Sequence, residues 1–198
     1  MLQKTLKNYH VILASGSPRR HQFFRDLGID FEIRLKSVEE IYPERLWKSE
    51  IPDYLAQLKA LPLKDDLREK DILITSDTIV WHNQKALGKP KSRDDAFEMV
   101  KALSGDCHEV ITSICFTTPS LQKTVNATTK VFFNTLTDEE INYYIDQFKP
   151  FDKAGAYGIQ EWIGLIGIRK IEGSYFNVVG LPVHLMYNTL KSIVEATD

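Results

Sequence analysis

The sequence has few cysteines, and their spacing argues against a disulfide. Among its 198 residues only Cys107 and Cys115 are cysteines. Both lie in or beside a stretch that predicts a strand, where about 3.3 Å per residue would separate them by about 26 Å, far beyond the ~7 Å limit of a disulfide. Two unbridged thiols favour a reducing compartment, so we expect a cytoplasmic protein.

The sequence also lacks long apolar runs and an excess of positive charge. No run approaches the roughly 18 apolar residues of a membrane span, and the start of the chain is too polar for a signal-peptide core. Lys and Arg total 25 against 27 Asp and Glu. Because non-specific nucleic-acid binding depends on neutralised phosphates, we expect no stable nucleic-acid complex. With 43% hydrophobic and 26% charged residues, the composition indicates a folded globular protein.

Short apolar strands alternate with helical patterns, which predicts an α/β fold. We expect strands over 11–14, 31–35, 72–80 and 162–171, and a hairpin formed by 110–116 and 125–135. Helices are expected over 18–27, 52–61, from the Ser92 cap to Leu103, from the Thr137 cap to Phe148, and from Pro182 onward. Because long antiparallel strands occur among βα units, we predict an elongated mixed sheet with flanking helices. We expect one domain over 1–198, with two lobes around a cleft.

The segment Ser15-Gly16-Ser17-Pro18-Arg19-Arg20 leads from a strand through small residues into the start of a helix. Such a start presents backbone N–H groups and the positive end of the helix dipole, and therefore suits an anion. Arg19 and Arg20 add donors that match phosphate oxygens. The alternative is a capped helix with two surface arginines.

Two further segments carry single charged residues in unusual places. Asp77 lies within an apolar strand, where an isolated carboxylate is costly to bury, so it suits a metal ligand or a general base. The alternative is a strand-end aspartate bound to local backbone. In Leu87-Gly88-Lys89-Pro90, a stiff loop presents Lys89 close to a ligand, although loop lysines are usually solvated.

The segment from Asp152 to Gln160 places small residues around one tyrosine and ends in a glutamine. It predicts either a loop that brings backbone against a ligand or a packed turn. Other chemistries find no support, since the sequence contains no G-x-x-x-x-G-K-[ST] phosphate loop, no H-E-x-x-H zinc motif and no G-x-S-x-G elbow.

Together the motifs A-S-G-S-P-R-R, S-D-T-I-V, L-G-K-P, L-S-G-x-x-H-x-V-x-T and D-K-A-G-A-Y-G-I-Q resemble the Maf family of nucleotide pyrophosphatases. The resemblance covers nearly the whole chain. It implies the mixed α/β fold of the inosine-triphosphatase group. It also implies hydrolysis of a nucleoside triphosphate to monophosphate and pyrophosphate, with a divalent cation, Mg²⁺ or Mn²⁺, as cofactor.

The resemblance also implies a role for individual residues. Asp77 would be the proton acceptor and, with Glu40, a metal ligand, while Lys59 and Lys89 would complete the catalytic set. Substrate would be bound by Ser15, Arg19, Arg20, Thr78 and Gln160. The order Asp77-Thr78 is typical of the branch associated with dTTP and UTP, whereas a glutamine after the aspartate is typical of the branch associated with 7-methyl-GTP.

Two other functions stay open on the sequence alone. One is a non-catalytic regulator of cell division that binds a nucleotide or nucleic acid. The paired carboxylates Glu40 and Asp77 argue against it, because binding alone does not require them beside phosphate ligands. The other is a pyrophosphatase for a different nucleotide, such as 7-methyl-GTP. The oligomeric state is not determined by the sequence, and a homodimer is one alternative.

Overall fold

The computed structural model describes residues 2–196, and its centre is one mixed sheet of seven strands. The strands are β1 (His10–Leu13), β2 (Glu32–Ile33), β3 (Asp71–His82), β4 (Lys85–Leu87), β5 (Cys107–Thr117), β6 (Gln122–Phe133) and β7 (Ile168–Glu172). Their order is β2-β1-β3-β5-β6-β7, with β4 paired to β3. Strand β1 is parallel to β2 and β3, whereas β3–β4 and β6–β7 are antiparallel. The predicted mixed α/β fold is confirmed.

The helices flank this sheet. They are α1 (Leu2–Thr5), α2 (Pro18–Asp26), α3 (Glu50–Lys64), α4 (Arg93–Leu103), α5 (Asp138–Phe148), α6 (Trp162–Gly167), α7 (Tyr175–Val179) and α8 (Val183–Glu195). Two predicted caps are confirmed. The Ser92 hydroxyl accepts from the Asp95 N–H, and Thr137 forms a capping box with Glu140. Each cap satisfies backbone donors that the first helical turn leaves without a partner.

Within the described residues, the first of two compact units covers 2–77, 112–127 and 180–196. Its core lies on both faces of β1 and β3. On one face Val11, Leu13, Ile72 and Ile74 pack with apolar side chains that include those of α2 and α8. On the other face Ile12 and Leu73 pack against Ala60 and Leu63 of α3. The alternation of side chains along the strands thus assigns α3 to one face.

The second unit covers 78–111 and 128–179 and has its own core, to which α4, α5 and α6 contribute. A buried aromatic group lies within it. His108 Nε2 is 2.7 Å from the hydroxyl of Tyr157, and both rings pack edge-on against Phe133. Burial lowers the pKa of His108 from 6.5 to about 3 and raises that of the Tyr157 phenol, so both side chains are uncharged at neutral pH.

One predicted strand is wrong. Residues 162–171 were expected to be extended, but they form helix α6 followed by the short strand β7. A continuous apolar run does not by itself distinguish a helix from a strand. Here Ile163 and Gly167, one helical turn apart, are buried, whereas Leu165 is 82% exposed. A Cβ at Gly164 would lie 1.8 Å from the carbonyl oxygen of Ile159, so this helix needs a glycine at the contact.

A second expected strand is shorter than predicted, because only Glu32–Ile33 of 31–35 pairs with β1. Cys107 and Cys115 form no disulfide, as expected. The cytoplasmic location inferred from them stays a prediction. Over residues 2–196, none of the helices is both long and apolar enough to cross a membrane.

Candidate active site

Asp77 is placed by the alternation of strand β3. Leu73 packs against α3, and Thr75, two residues further on, donates its hydroxyl to the carbonyl of Ala56 in that helix at 2.6 Å. Asp77 follows with the same spacing and therefore also faces α3. Ser76 and Thr78 lie on the opposite face of the strand. The structure thus does not place Thr78 on the face that carries Asp77.

Lys59 of α3 joins the two carboxylates that the resemblance pairs. Its Nζ lies 2.5 Å from Asp77 Oδ1 and 3.1 Å from Glu40 Oε1. The side chains differ in exposure, with 9% for Asp77, 19% for Lys59 and 47% for Glu40. A largely buried aspartate is therefore balanced by an ammonium group that also reaches a carboxylate open to solvent. This is the arrangement of charge that a buried carboxylate requires.

Arg20 lies in the first turn of α2 and forms hydrogen bonds to three other segments of the chain. Its Nε donates to the carbonyl of Gly180 at 2.9 Å, and its Nη1 donates to the carbonyl of Ser76 at 2.9 Å and to Ser15 Oγ at 3.4 Å. Because Ser76 precedes Asp77, Arg20 holds the backbone beside that carboxylate. Two of its nitrogens are thus engaged with oxygens of the chain itself.

The turn that leads into α2 has its own hydrogen bonds. Ser15 Oγ accepts from the Ser17 N–H at 3.2 Å, and the Ser15 carbonyl lies 2.5 Å from His21 Nε2. Ser17 occupies the N-cap position, but its hydroxyl does not cap the helix. Ser15, rather than Ser17, therefore shapes this turn.

The charges of this cluster act on one another. Burial and the positive charge of Arg19 lower the pKa of Arg20, the negative charges of Asp77 and Glu40 raise it, and the net result is a pKa of about 10. Arg20 therefore remains a cation at neutral pH. The first unit brings together six of the expected residues, namely Ser15, Arg19, Arg20, Glu40, Lys59 and Asp77.

The other three expected residues belong to the second unit. Thr78 is half-buried in β3, while Lys89 and Gln160 are exposed in loops. The loop of Lys89 is fixed by a hydrogen bond of 3.0 Å from the Gly155 N–H to the Gly88 carbonyl. Gly155 has a φ of +68°, and a Cβ there would lie 2.8 Å from Val80 Cγ2. Only glycine fits this contact without strain.

A polar network beside Gln160, formed by Tyr144, Lys153 and Glu161, was not predicted from the sequence. Lys153 is 8% exposed, and its Nζ lies 3.0 Å from Glu161 Oε1. The Tyr144 hydroxyl donates to the other oxygen of that carboxylate. Lys153 lies in the motif from Asp152 to Gln160, but Tyr144 and Glu161 lie outside that motif.

Comparison with known proteins identifies the relatives of the chain. The family model described as Maf-like protein matches residues 10–193. A protein of Christiangramia forsetii named dTTP/UTP pyrophosphatase is 58% identical over 196 residues, which are 99% of this chain and 100% of that protein. A protein of the same name from Bacteroides fragilis is 49% identical over 189 residues, or 95% of this chain and 98% of the relative.

A solved structure, that of the Staphylococcus aureus Ham1 protein, shares the fold. It has a TM-score of 0.54 at 16% identity and covers 93% of this chain and 99% of its own. The matches to the family model and to the two relatives cover nearly the full length of this chain, as the motifs do. The chain therefore belongs to the Maf family, as those motifs predicted.

Proposed function

We propose that this chain hydrolyses nucleoside triphosphates, with dTTP and UTP as preferred substrates, to the monophosphate and pyrophosphate. The observation that carries the proposal is the contact of Lys59 with both Asp77 and Glu40. The names of the relatives at 58% and 49% identity support the choice of substrate.

The chemistry follows from the charges of the first unit. Water attacks the α-phosphorus, the bond from that phosphorus to the bridging oxygen breaks, and pyrophosphate leaves. Asp77 orients the attacking water and takes one of its protons, a role that typically contributes about 10²–10⁴-fold to the rate. Lys59 and Arg19 stabilise the negative charge that develops on the phosphates.

Arg20 contributes mainly through position in this proposal. Its bonds to the carbonyls of Ser76 and Gly180 hold the backbone next to Asp77. The Ser15 hydroxyl, which contacts the same guanidinium, is held at the end of β1. Ser15 follows the carboxyl end of β1, and Ser76 lies in the parallel strand β3 just beyond the residues that pair with β1. Ligands bind at the carboxyl ends of strands in open α/β sheets.

The residues of the cluster fit a divalent cation. Asp77 and Glu40 offer the hard oxygen donors that Mg²⁺ and Mn²⁺ prefer. No set of three or more metal-ligating side chains occurs within residues 2–196. This agrees with the usual Mg²⁺ site, in which one or two carboxylates are joined by phosphate oxygens of the substrate. When bound, the cation would neutralise phosphate charge and polarise the phosphoryl oxygens.

Base recognition is assigned to the second unit. The Gln160 amide offers both a donor and an acceptor, and uracil and thymine share a ring N–H beside a carbonyl. A site satisfied by such bonds rejects a different edge, because an unpaired buried polar group costs about 1–3 kcal/mol. The assignment of Thr78 to the base rests on the motif alone, and Lys89 is assigned to the phosphates.

A panel of dTTP, UTP, ATP, GTP and 7-methyl-GTP tests the proposal, with Mg²⁺, Mn²⁺ or a chelator present and pyrophosphate detected. We expect kcat/KM for dTTP and UTP to be at least about tenfold above the others, since one lost hydrogen bond at a buried site has about this effect. We also expect the chelator to abolish turnover. Equal or greater efficiency on 7-methyl-GTP would overturn the substrate choice, and absence of pyrophosphate from every substrate would overturn the proposal as a whole.

A further inference from the structure

The segment from Lys153 to Glu161, called the 153–161 loop below, is almost entirely buried around one exposed side chain. Lys153 and the run from Gly155 to Ile159 are buried, whereas Gln160 is exposed. Most loops, in contrast, lie on the surface of a protein and are mobile. A buried loop with a single projecting amide therefore needs specific bonds to hold it.

The two ends of the 153–161 loop are joined by charge. Lys153 Nζ lies 3.0 Å from Glu161 Oε1 and 2.7 Å from Asp152 Oδ1. The Lys153 side chain is 9% exposed and that of Glu161 is 19% exposed, so solvent screens this pair only weakly. The pair spans Gln160, because one partner precedes it and the other follows directly.

Tyr144 of α5 fastens the middle of the loop to the same carboxylate. Its hydroxyl donates to Glu161 Oε2 and accepts from the Gly158 N–H at 3.0 Å. The ring is fully buried and stacks on Phe148 at 5.3 Å between centroids. One phenol thus holds the residues on both sides of Ile159 and Gln160. Burial and the bond to Glu161 raise the pKa of Tyr144, so the hydroxyl remains a donor across the neutral range.

Tyr144, Lys153 and Glu161, called the clamp below, pack closely against the backbone of the loop. A Cβ at Gly158 would lie 3.0 Å from Cδ and Oε2 of Glu161 and 3.1 Å from Cε of Lys153. The backbone at Gly158 therefore lies directly against the ion pair. A buried ion pair is weak evidence for stability, because well-packed apolar residues often stabilise a fold as well or better. Its position around Gln160 points to a role in orienting that residue.

We infer that Tyr144, Lys153 and Glu161 are positioning residues that set base selectivity by holding the backbone that carries Gln160, and so the place from which its amide reaches the base. This inference rests on the proposed function, in which Gln160 reads the base. A loop whose backbone is fixed before binding loses less conformational entropy on contact with its ligand. Releasing the clamp therefore weakens contacts to the base and leaves contacts to the phosphates unchanged.

The test compares Tyr144→Phe, which keeps the ring and removes the hydroxyl, with the matched control Tyr143→Phe. Tyr143 is the adjacent residue, is 50% exposed, and packs its ring on Trp162. For each variant kcat and KM are measured with dTTP, ATP and ribose 5-triphosphate, which carries no base. We expect Tyr144→Phe to lower kcat/KM for dTTP about tenfold, chiefly through KM, and to change the value for ribose 5-triphosphate less than twofold.

The control should retain wild-type values for all three substrates. A second variant, Glu161→Gln, keeps the shape of the side chain but removes the charge that Lys153 meets. It should lower the ratio of kcat/KM for dTTP to that for ATP at least fivefold, and it supplies the answer if Tyr144→Phe does not fold.

An equal loss on every substrate would show that the network only stabilises the fold, and an unchanged dTTP to ATP ratio in folded variants would also overturn the inference. If the wild-type protein itself releases no pyrophosphate from dTTP, the proposed function fails. If the wild-type protein prefers dTTP and the variants keep that preference, the inference alone fails.

Discussion

Replacing Asp77 with Asn separates the chemistry of this carboxylate from its shape. The amide occupies nearly the same volume on β3, but it carries no charge and cannot take a proton from water. Lys59 loses the partner at 2.5 Å and keeps Glu40 at 3.1 Å. The substitution therefore removes one of the two carboxylates that the proposed mechanism uses and leaves the rest of the cluster in place.

The expected loss of stability follows from burial and from the remaining partner. Removing one member of a buried ion pair costs about 3–5 kcal/mol when the other charge is left alone. Lys59 retains a carboxylate that is 47% exposed, so we expect a smaller loss, about 1–3 kcal/mol. For a chain of this size that corresponds to a fall in Tm of roughly 3–10 °C. The loss of a general base lowers kcat by about 10²–10⁴-fold.

The assay is steady-state pyrophosphate release from dTTP, with Tm measured on the same samples. Asp71→Asn is the matched control, because Asp71 is the first residue of β3, is 5% exposed and pairs with His10 at 3.0 Å. It should lose comparable stability with kcat within about twofold of wild type. Retention of kcat within a few-fold in Asp77→Asn would refute a catalytic role. An equal fall of kcat in Asp71→Asn would show that the loss reflects damage to the strand.

Two further predictions concern the second unit. His108, whose pKa of about 3 lies below its ordinary 6.5, stays neutral in the folded chain while the unfolded chain protonates below pH 6.5. The free energy of unfolding should therefore fall by about 1.4 kcal/mol per unit from pH 6.5 towards pH 3. Between pH 7 and pH 5 the free energy of unfolding, measured by urea denaturation, should fall about 2 kcal/mol less for His108→Gln than for the wild-type protein. Equal falls in the two proteins would show that His108 is not the source of the pH dependence. Gly155→Ala, whose Cβ would lie 2.8 Å from Val80, should lose about 2–4 kcal/mol. When Val80 is already replaced by Ala, Gly155→Ala should cost less stability than it does in the wild-type chain. An equal cost in both backgrounds would count against this contact.

Local signals in the sequence predicted much of the fold. The caps at Ser92 and Thr137 fixed the starts of α4 and α5, because a hydroxyl three residues before an acidic side chain satisfies the first backbone donors. Asn83 and Gln84 are two polar residues between β3 and β4, a composition typical of a turn. Both residues have positive φ, as the tight hairpin between β3 and β4 requires. The single-domain organisation over 1–198 stays a prediction.

The errors in the fold arose where specific contacts, rather than the periodicity of apolar residues, decide the outcome. The run from Trp162 to Gly167 is apolar throughout, and its helix depends on the close approach of Gly164 to Ile159. No periodic pattern reveals that contact. The shortened strand β2 similarly depends on pairing with β1.

In the candidate site, too, local motifs predicted some residues and missed the contacts between distant parts of the chain. Motifs indicated Asp77 and Lys59, and the structure brings the two side chains together. They did not indicate that Arg20 bonds to the carbonyls of Ser76 and Gly180, the latter 160 residues away. The link between Tyr144 and Glu161 was missed for the same reason, since residues on a helix and a later loop carry no shared local signature.

The attack on the α-phosphorus is tested most directly by hydrolysing dTTP in ¹⁸O-labelled water and locating the label by mass spectrometry. The account predicts one labelled oxygen in thymidine monophosphate and unlabelled pyrophosphate. Label in pyrophosphate would place the attack on the β-phosphorus, and the formation of thymidine diphosphate with orthophosphate would place it on the γ-phosphorus. Either result would contradict the proposed reaction.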